Sequence, residues 1–306
     1  MKSYRLLGDE MDGVINIFKP KGVTSHDIVK RVRKILGIKK VGHAGTLDPY
    51  ATGVLPVCVG KGTRISEYLL DLDKEYVGEL TLGIATDTQD MEGEVISASS
   101  RRVTKSEIFA VFDRFKGEIY QTPPMYSAIK YKGRKLYELA REGKTVERPA
   151  RKAKIYDLKI YDIIDDEKVI FYVKCSKGTY IRTLCHDIGE LLGTYGHMSY
   201  LIRTGVGKFS ISDSYSLDYI EKLDKGDLKK VIIPLDDSLT HLDYIEIDKR
   251  FYNNLINGNI IPIKLDEKHY KFEKPLRVYC KGKFLGIGRI TKRNDIINIK
   301  MDKVLA

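Results

Sequence analysis

Apolar residues recur along this chain with two different periods, which predict a mixture of strands and helices. Residues 168–175 alternate between apolar and polar positions, a pattern typical of a half-buried strand. A helical stripe follows over residues 181–192, where the apolar positions are spaced by three, one, three, three and one: Ile181, Leu184, Cys185, Ile188, Leu191 and Leu192. Arg182 lies about 100° around this predicted helix from Ile181. We therefore expect its side chain to leave the apolar stripe beside the start of the helix.

The first hundred residues follow no regular strand–helix–strand rhythm. A strand is predicted over 13–18, stopped by the turn Lys19-Pro20-Lys21-Gly22, and a helix over 26–36, with Ser25 as its N-cap and Gly37 at its end. Further strands are predicted over 75–84 and 94–96, joined by a polar turn that contains Asp87 and Asp90. This order favours an α+β fold with a mixed or antiparallel sheet.

A change of pattern near residues 234–243 predicts a boundary between two units. The sequence there is PLDDSLTHLD, and short β-like runs follow, broken by Gly258, Pro262, Gly282, Gly286 and Gly288. A small β-rich module appended to a larger α+β unit is the interpretation we adopt.

Composition excludes several classes of protein. With 42% hydrophobic and 31% charged residues among 306, the chain is neither disordered nor fibrous. No run approaches the roughly 18 apolar residues of a membrane span, and no apolar leader is evident, so we expect a cytoplasmic protein. The four cysteines are scattered without CxxC spacing, and the six histidines lack ligand spacing. We accordingly expect no disulfide framework, no metal and no cofactor.

The excess of basic residues is confined to two segments. Lys and Arg outnumber Asp and Glu by 53 to 42, a net charge of +11. Residues 121–154 contribute ten basic against three acidic residues, a net of +7, and residues 236–306 contribute 14 against 10, a net of +4. The first segment interleaves tyrosines with Lys130, Lys132 and Arg134, which suits a surface that binds phosphates and bases. An ordinary solvated loop with a short helix remains the alternative at this point.

The sequence KVGHAGTLDPYATGVL over residues 40–55 is the strongest candidate for chemistry. Asp48 precedes a proline in a glycine-rich segment, so we expect it on a tight loop and not inside a helix. A simple turn-forming Asp-Pro pair is the alternative. His43, the second Asp-containing loop and Arg182 favour a site, because a carboxylate held by a guanidinium is fit to act as a nucleophile.

Four segments together resemble the bacterial tRNA pseudouridine synthase B (TruB) family. They are NIFKPKGVTSHDIV, HAGTLDPYATGVL, SAIKYKGRKLYELAREG and SKGTYIRTLCHDIGELL. The resemblance extends from about Gly13 to Phe209 and is weaker through the tail. It implies a pseudouridine synthase fold, with a mixed, mostly antiparallel sheet flanked by helices, and a small β-barrel-like C-terminal PUA domain. The implied activity is isomerisation of uridine 55 in the T-loop of tRNA.

The same resemblance implies roles for individual residues. Asp48 is implied as the catalytic carboxylate, Arg182 as its ion-pair partner, and Tyr76 as the ring stacked on the target base, suspected of moving a proton. Residues implied to hold the substrate or shape its pocket are His43, Asp90, Tyr180, Leu201, Lys19, Lys130, Lys132 and Arg134. For Lys19, which belongs with Pro20 to a Lys-Pro signature, a structural role is implied as much as a functional one.

The resemblance also divides the chain. We expect an N-terminal extension over 1–12, with residues 1–10 disordered and Met11 as a possible start. A catalytic domain over 13–235 follows, with an RNA-binding insertion at about 121–152, and then a PUA-like domain over 240–306. The expected partner is the T-arm of tRNA, bound by a monomer without guide RNA or membrane.

Three other functions stay open on sequence alone. They are a tRNA-binding module without important catalysis, a hydrolytic nucleosidase that uses Asp48 and Asp90 as an acid–base pair, and a guide-RNA-directed relative. Asp48, Tyr76 and Arg182 distinguish the first alternative, because binding alone needs none of them.

Overall fold

The computed structural model describes residues 11–264 and 271–306. The expected disorder of residues 1–10 lies outside these described residues. Among the helices that they form, none is long and apolar enough to cross a membrane.

Strands and helices are mixed along the chain as the sequence pattern predicts. The strands are β1 (Gly13–Lys19), β2 (Val41–His43), β3 (Thr52–Val59), β4 (Lys74–Leu82), β5 (Ile84–Thr86), β6 (Val95–Ala98), β7 (Gly117–Gln121), β8 (Lys130–Tyr131), β9 (Arg134–Lys135), β10 (Arg151–Ile164), β11 (Lys168–Cys175), β12 (Gly196–Val206), β13 (Phe209–Ser210), β14 (Tyr244–Ile247), β15 (Ile261–Pro262), β16 (Pro275–Cys280), β17 (Lys283–Arg293) and β18 (Ile296–Val304). The α-helices are α1 (Ser25–Leu36), α2 (Ser66–Leu70), α3 (Lys105–Arg114), α4 (Leu136–Arg141), α5 (Ile181–Leu192), α6 (Leu217–Lys222), α7 (Lys225–Lys230), α8 (Leu235–Ser238) and α9 (Tyr252–Ile256). Short 3-10 helices cover Gly60–Arg64, Ile211–Asp213 and Lys249–Phe251.

A large sheet forms the centre of the molecule. Its main path runs in the order β1-β3-β12-β4-β11-β10-β7, with β2 paired to β3 and β13 to β12. The β3–β12 pair is parallel, and the other pairs along this sheet are antiparallel. The expected mixed, mostly antiparallel sheet is therefore confirmed, and the single parallel pair brings the start of β3 beside Ile202 and Arg203.

Helix α5 forms where the apolar stripe predicts it, and the stripe packs on the sheet. Leu184, Cys185 and Ile188 are fully buried against a core that includes Leu80, Phe171 and Val173, from the central strands β4 and β11. Burial of each large apolar side chain contributes about 1.5–3 kcal/mol. The helix ends at Gly193, which adopts the left-handed conformation with φ of 68°. This packing fixes the start of α5, and with it Arg182, relative to the sheet.

Helix α1 begins one residue earlier than predicted, so the expected N-cap at Ser25 is wrong. Thr24 is the N-cap, because its hydroxyl accepts from the Asp27 N–H while the Asp27 side chain accepts from the Thr24 N–H. Ser25 is instead buried, and its hydroxyl is hydrogen-bonded to the backbone of Leu47. The predicted strand over 75–84 also ends early, at Leu82, since Gly83 takes a φ of +96° before β5 begins.

The C-terminal residues form a second sheet in the order β14-β16-β17-β18-β15. Gly286 and Gly288 were expected to interrupt short runs, but both lie inside the eleven-residue strand β17. At Gly286 a Cβ would lie 1.9 Å from the Lys303 carbonyl oxygen, so glycine lets β17 and β18 approach closely. The curled second sheet fits the expected PUA-like fold. Ile287 and Leu305 pack into a core shared with the large sheet, where they meet Val14 and Leu239.

Candidate active site

Asp48 lies on a tight turn between β2 and β3. The Ala51 N–H donates to the Asp48 carbonyl at 3.1 Å, which closes a four-residue turn with Pro49 and Tyr50 at its centre. At the far end of this loop, Gly53 has a φ of +106°, and a Cβ there would lie 2.2 Å from the Arg203 carbonyl oxygen. Only glycine fits this close approach without a shift of the backbone. Glycine at position 53 therefore lets the start of β3 lie directly against Arg203 of β12.

Lys19 is a buried charged residue that is hydrogen-bonded to the turn of Asp48. It is fully buried, and its Nζ donates to the carbonyl oxygens of Pro20, Val23 and Pro49 at 3.0, 2.8 and 2.9 Å. Burial lowers the pKa of Lys19 to about 8, and the nearby Asp48 opposes that shift. Because one of these acceptors is the carbonyl oxygen of Pro49, the residue after Asp48, Lys19 supports the turn.

Arg182 connects the loop of Asp48 to two other loops. Its side chain is only 7% exposed, and its Nε lies 3.0 Å from Asp48 Oδ2 while Nη2 lies 3.4 Å from Oδ1. Its remaining hydrogens go to the carbonyl oxygens of Thr88, at 3.1 Å, and Tyr126, at 2.8 Å. The planar guanidinium can serve all of these acceptors at once, which an ammonium cannot. The Asp48 side chain stays 41% exposed, so the carboxylate is held in place and yet reachable.

Asp90 lies on the second side of the same guanidinium. Its Oδ2 is 3.5 Å from Arg182 Nη1, and its Oδ1 accepts from the Thr88 hydroxyl at 2.6 Å and from the Glu92 N–H at 3.1 Å. The carboxylate is thus occupied by its own loop and is 17% exposed. This arrangement suits a residue that positions Arg182 better than one that exchanges protons with a substrate.

Tyr76 and Leu201 form the apolar side of the site. Tyr76 on β4 is 8% exposed, and it lies next to Leu47 and Leu201 in the core that α5 covers. Leu201 on β12 lies opposite Gly78, the neighbour of Tyr76 by two positions along β4. Burial raises the pKa of Tyr76 to about 12, and the guanidinium of Arg203 opposes the shift. The phenol is therefore neutral and protonated near neutral pH.

Arg203 is a residue of this site that the sequence analysis did not identify. It is 1% exposed on β12, directly opposite Tyr76 in the sheet register. Its guanidinium donates to the carbonyl oxygens of Val54, Thr46 and Gly45 at 2.7, 3.3 and 3.1 Å. The sequence does contain a signal for Arg203. In a strand that alternates between inward and outward positions, this charged residue occupies an inward position two residues after the apolar Leu201.

His43 and Tyr180 lie at the borders of the site. His43 ends β2, its pKa is lowered by burial and then by Arg203, and its Nδ1 is buried with no hydrogen-bond partner among the described residues. Tyr180 precedes α5, and the Gln121 side chain accepts from its N–H at 3.0 Å and donates to its carbonyl oxygen at 3.1 Å. Gln121 thus joins the beginning of the basic insertion to the start of α5.

The basic residues of the insertion lie on an exposed hairpin formed by β8 and β9. Lys130, Lys132 and Arg134 are all exposed, and Arg134 is paired with Glu142. In the described part of the chain no ion pair or hydrogen bond links these three side chains to Asp48 or Arg182. The structure therefore brings Asp48, Tyr76, Arg182, Asp90, Leu201 and Lys19 together, and it leaves the three basic residues apart from them.

The cysteines and the charged clusters suggest no other reactive centre. Cys58, Cys175, Cys185 and Cys280 are buried, and burial raises the thiol pKa of each. Over residues 11–264 and 271–306, no three His, Cys, Asp or Glu side chains are grouped so that they could hold a metal ion.

Comparison with known proteins identifies close relatives of this chain. Residues 33–181 match the N-terminal domain of the TruB family of pseudouridylate synthases, and residues 182–240 match the tRNA pseudouridylate synthase B C-terminal domain. The protein named tRNA pseudouridine synthase B of Clostridioides difficile (strain 630) is 45% identical over 96% of this chain and 99% of its own length. The protein of the same name from Alkaliphilus oremlandii is 47% identical over 96% of this chain and 98% of its own length.

Solved structures extend the similarity to the C-terminal sheet. A chain of an H/ACA ribonucleoprotein bound to a substrate RNA containing 2'-deoxyuridine is 26% identical, with a TM-score of 0.73 over 97% of this chain and 86% of that chain. A chain of an archaeal box H/ACA sRNP Nop10-Cbf5 complex is 28% identical, with a TM-score of 0.73 over 99% of this chain and 88% of that chain. The protein therefore belongs to the TruB family of pseudouridylate synthases.

Proposed function

We propose that this protein converts uridine 55 in the T-loop of tRNA to pseudouridine, with Asp48 as the catalytic carboxylate. The observation that carries the proposal is the Asp48 carboxylate, partly exposed at the first position of a tight turn and held at 3.0 Å by the buried guanidinium of Arg182. Mere binding of RNA does not need a carboxylate, which repels phosphates, at the centre of the site.

The reaction balances within one nucleotide. The C1′–N1 glycosidic bond breaks, the uracil turns, and a C1′–C5 bond forms. The hydrogen on C5 leaves as a proton, and N1 gains a proton. Nothing is oxidised or reduced, so the chain needs to supply only a carboxylate, a route for protons and a pocket that retains the detached base.

The target base must leave its stack before Asp48 can reach it. Flipping a nucleotide out of a folded loop costs a few kcal/mol, which ring stacking and phosphate contacts have to offset. The basic hairpin at Lys130–Lys135 suits contacts with phosphates. The apolar wall of Tyr76 and Leu201 suits stacking against the flipped base. We propose that the insertion over 121–152 grips the T-arm while the flipped uracil enters the pocket.

Asp48 can act by attack on C1′, by addition to C6 of the uracil, or by stabilising a glycal intermediate, and the proposal covers all three routes. In each of them Arg182 keeps the carboxylate in a fixed orientation. Because the raised pKa of Tyr76 keeps its hydroxyl protonated, we propose that Tyr76 hands on a proton as a neutral phenol and does not serve as a preformed phenolate base.

We further propose that the protein works in the cytoplasm as a monomer and without a guide RNA. The independence from guide RNA is supported by the relatives named tRNA pseudouridine synthase B, since they are 45–47% identical to this chain, against 26–28% for the chains of H/ACA complexes. We propose domain limits of 13–235 for the catalytic unit and 240–306 for the PUA-like unit. All strands of the large sheet lie within the first range, and all strands of the second sheet lie within the second range.

The test is pseudouridine mapping on an unmodified tRNA transcript with no other RNA present. The native protein is expected to modify the T-loop uridine, and Asp48→Asn is expected to bind the same tRNA but form no product. Asp113→Asn is the matched control, because that exposed aspartate lies on α3 and pairs only with Lys116 among the described residues. Appreciable product from Asp48→Asn would disprove the role of Asp48. Release of free uracil would instead support a nucleosidase.

A further inference from the structure

Tyr50 is an exposed ring two residues from the proposed catalytic carboxylate. It occupies the third position of the turn from Asp48 to Ala51, and 45% of its surface is exposed although the turn itself is anchored in the interior. Large aromatic side chains usually bury their rings, because each ring offers 150–250 Å² of apolar surface. The exposed part of this ring, beside the candidate site, is open to a stacking partner in addition to the contacts that Tyr50 makes within the protein.

The surroundings of Tyr50 fit a nucleotide. Lys21 Nζ lies 5.5 Å from the centre of the ring, and this exposed ammonium can meet a phosphate next to a stacked base. Glu92 lies beside the phenol at the outer edge of the ring, where its carboxylate raises the pKa of Tyr50. The ring therefore bridges the loop of Asp48 and the loop of Asp90, the two loops that meet at Arg182.

The anchoring of the turn makes the ring a preorganised platform. Pro49, its neighbour, receives hydrogen bonds on its carbonyl oxygen from the buried Lys19 Nζ at 2.9 Å and from the Gly22 N–H at 2.9 Å. A platform that is already fixed loses little conformational entropy when a base stacks on it.

We propose that Tyr50 stacks on a nucleotide next to the flipped uridine and that Lys21 contacts its phosphate, so that the turn of Asp48 also positions the RNA. This inference rests on the proposed function, and it adds a substrate contact on the catalytic loop itself. Stacking on a protein ring contributes about 1–3 kcal/mol per base, so loss of the ring corresponds to an approximately 5- to 150-fold rise in Kd.

The experiment compares Tyr50→Ala, Tyr50→Phe and Tyr219→Ala with the native protein. We measure KM and kcat for pseudouridine formation, and tRNA Kd for each change combined with Asp48→Asn. Tyr50→Ala is expected to raise KM and Kd at least 5-fold, while Tyr50→Phe, which keeps the ring and loses the hydroxyl beside Glu92, stays within 2-fold of native. Tyr219, which is 50% exposed on α6 and lies outside the insertion over 121–152, is the matched control and is expected to change neither value.

The outcomes separate the two proposals. If the native protein forms no pseudouridine, the proposed function fails. If the native protein is active and Tyr50→Ala leaves KM and Kd unchanged, only the stacking inference fails. If Tyr50→Phe loses as much as Tyr50→Ala, the contact with Glu92 is what matters, and stacking is refuted.

Discussion

Replacing Arg182 by lysine tests whether the geometry of the guanidinium, and not only its charge, supports the reaction. Arg182 faces two oxygens of Asp48, one of Asp90 and the carbonyl oxygens of Thr88 and Tyr126. A lysine ammonium carries three hydrogens at a single point, so it cannot reach all of these acceptors. We expect Arg182→Lys to retain the positive charge and to lose the fixed orientation of the Asp48 carboxylate.

The size of the effect follows from the contacts that are lost. A hydrogen bond to a charged group contributes about 1.5–3 kcal/mol, and loss of one of the two contacts to Asp48 in the transition state would lower kcat about 10- to 150-fold. Because the Asp48 side chain is 41% exposed, solvent screens part of the interaction. We therefore expect a decrease of about 10- to 100-fold in kcat.

The assay is pseudouridine formation from a tRNA transcript under single-turnover conditions, with tRNA Kd and thermal unfolding measured beside it. Arg31→Lys is the matched control, because Arg31 is an exposed arginine on α1 that pairs with Asp218 and Glu221, away from the site. The reasoning is refuted if Arg182→Lys keeps kcat within 2-fold of native. It is equally refuted if the whole loss in activity is explained by a weaker tRNA Kd.

Two further predictions concern the residues beneath the turn. Thr24→Ala removes the N-cap of α1 and is expected to lower the free energy of unfolding by about 0.5–2 kcal/mol with little change in kcat. Ser25→Ala removes the hydroxyl that is hydrogen-bonded to the backbone of Leu47, next to Asp48, and is expected to lower kcat. Denaturant titration and turnover measurements check this pair, and equal effects of both variants on kcat would contradict it. For Lys19, the folded-state pKa of about 8 lies below the unfolded value near 10.5, so the unfolded chain binds more protons between these two values. The free energy of unfolding of the native protein, minus that of Lys19→Met, should consequently rise between about pH 8 and pH 10.5. Urea titrations of both proteins over this pH range measure this difference. A difference that does not change with pH would show that Lys19 is not the titrating group.

Much of the fold could be predicted because local patterns and long-range packing agree. The stripe over 181–192 predicts α5 to the residue, since every apolar position of the stripe except Leu191 enters the core. The same agreement holds for β11, where the alternating residues of 168–175 meet that core. For α5 and β11, the spacing of apolar residues alone therefore predicts which face is buried.

The errors arise where two neighbouring residues offer the same local signal, or where strand pairing overrides a local signal. Thr24 and Ser25 can both cap a helix, but Asp27 lies three residues after Thr24 and completes a capping box with it. Gly286 and Gly288 suggest breaks, yet pairing with β16 and β18 on both sides keeps β17 continuous. Arg203 was not predicted as a site residue because three of its hydrogen-bond partners are backbone carbonyl oxygens. Every residue has such an oxygen, so the sequence does not indicate these partners.

The supports of the Asp48 turn come from distant parts of the chain. Lys19 is separated from Pro49 by 30 residues, Asp48 from Arg182 by 134, and Thr46 from Arg203 by 157. A nascent chain can therefore make the local hydrogen bond of this turn early, but Arg182 and Arg203 can support the turn only after residue 203 has left the ribosome. Activity should accordingly be absent from every N-terminal fragment that stops before β12, because such a fragment lacks Arg203 and the strand that pairs with β3 and β4.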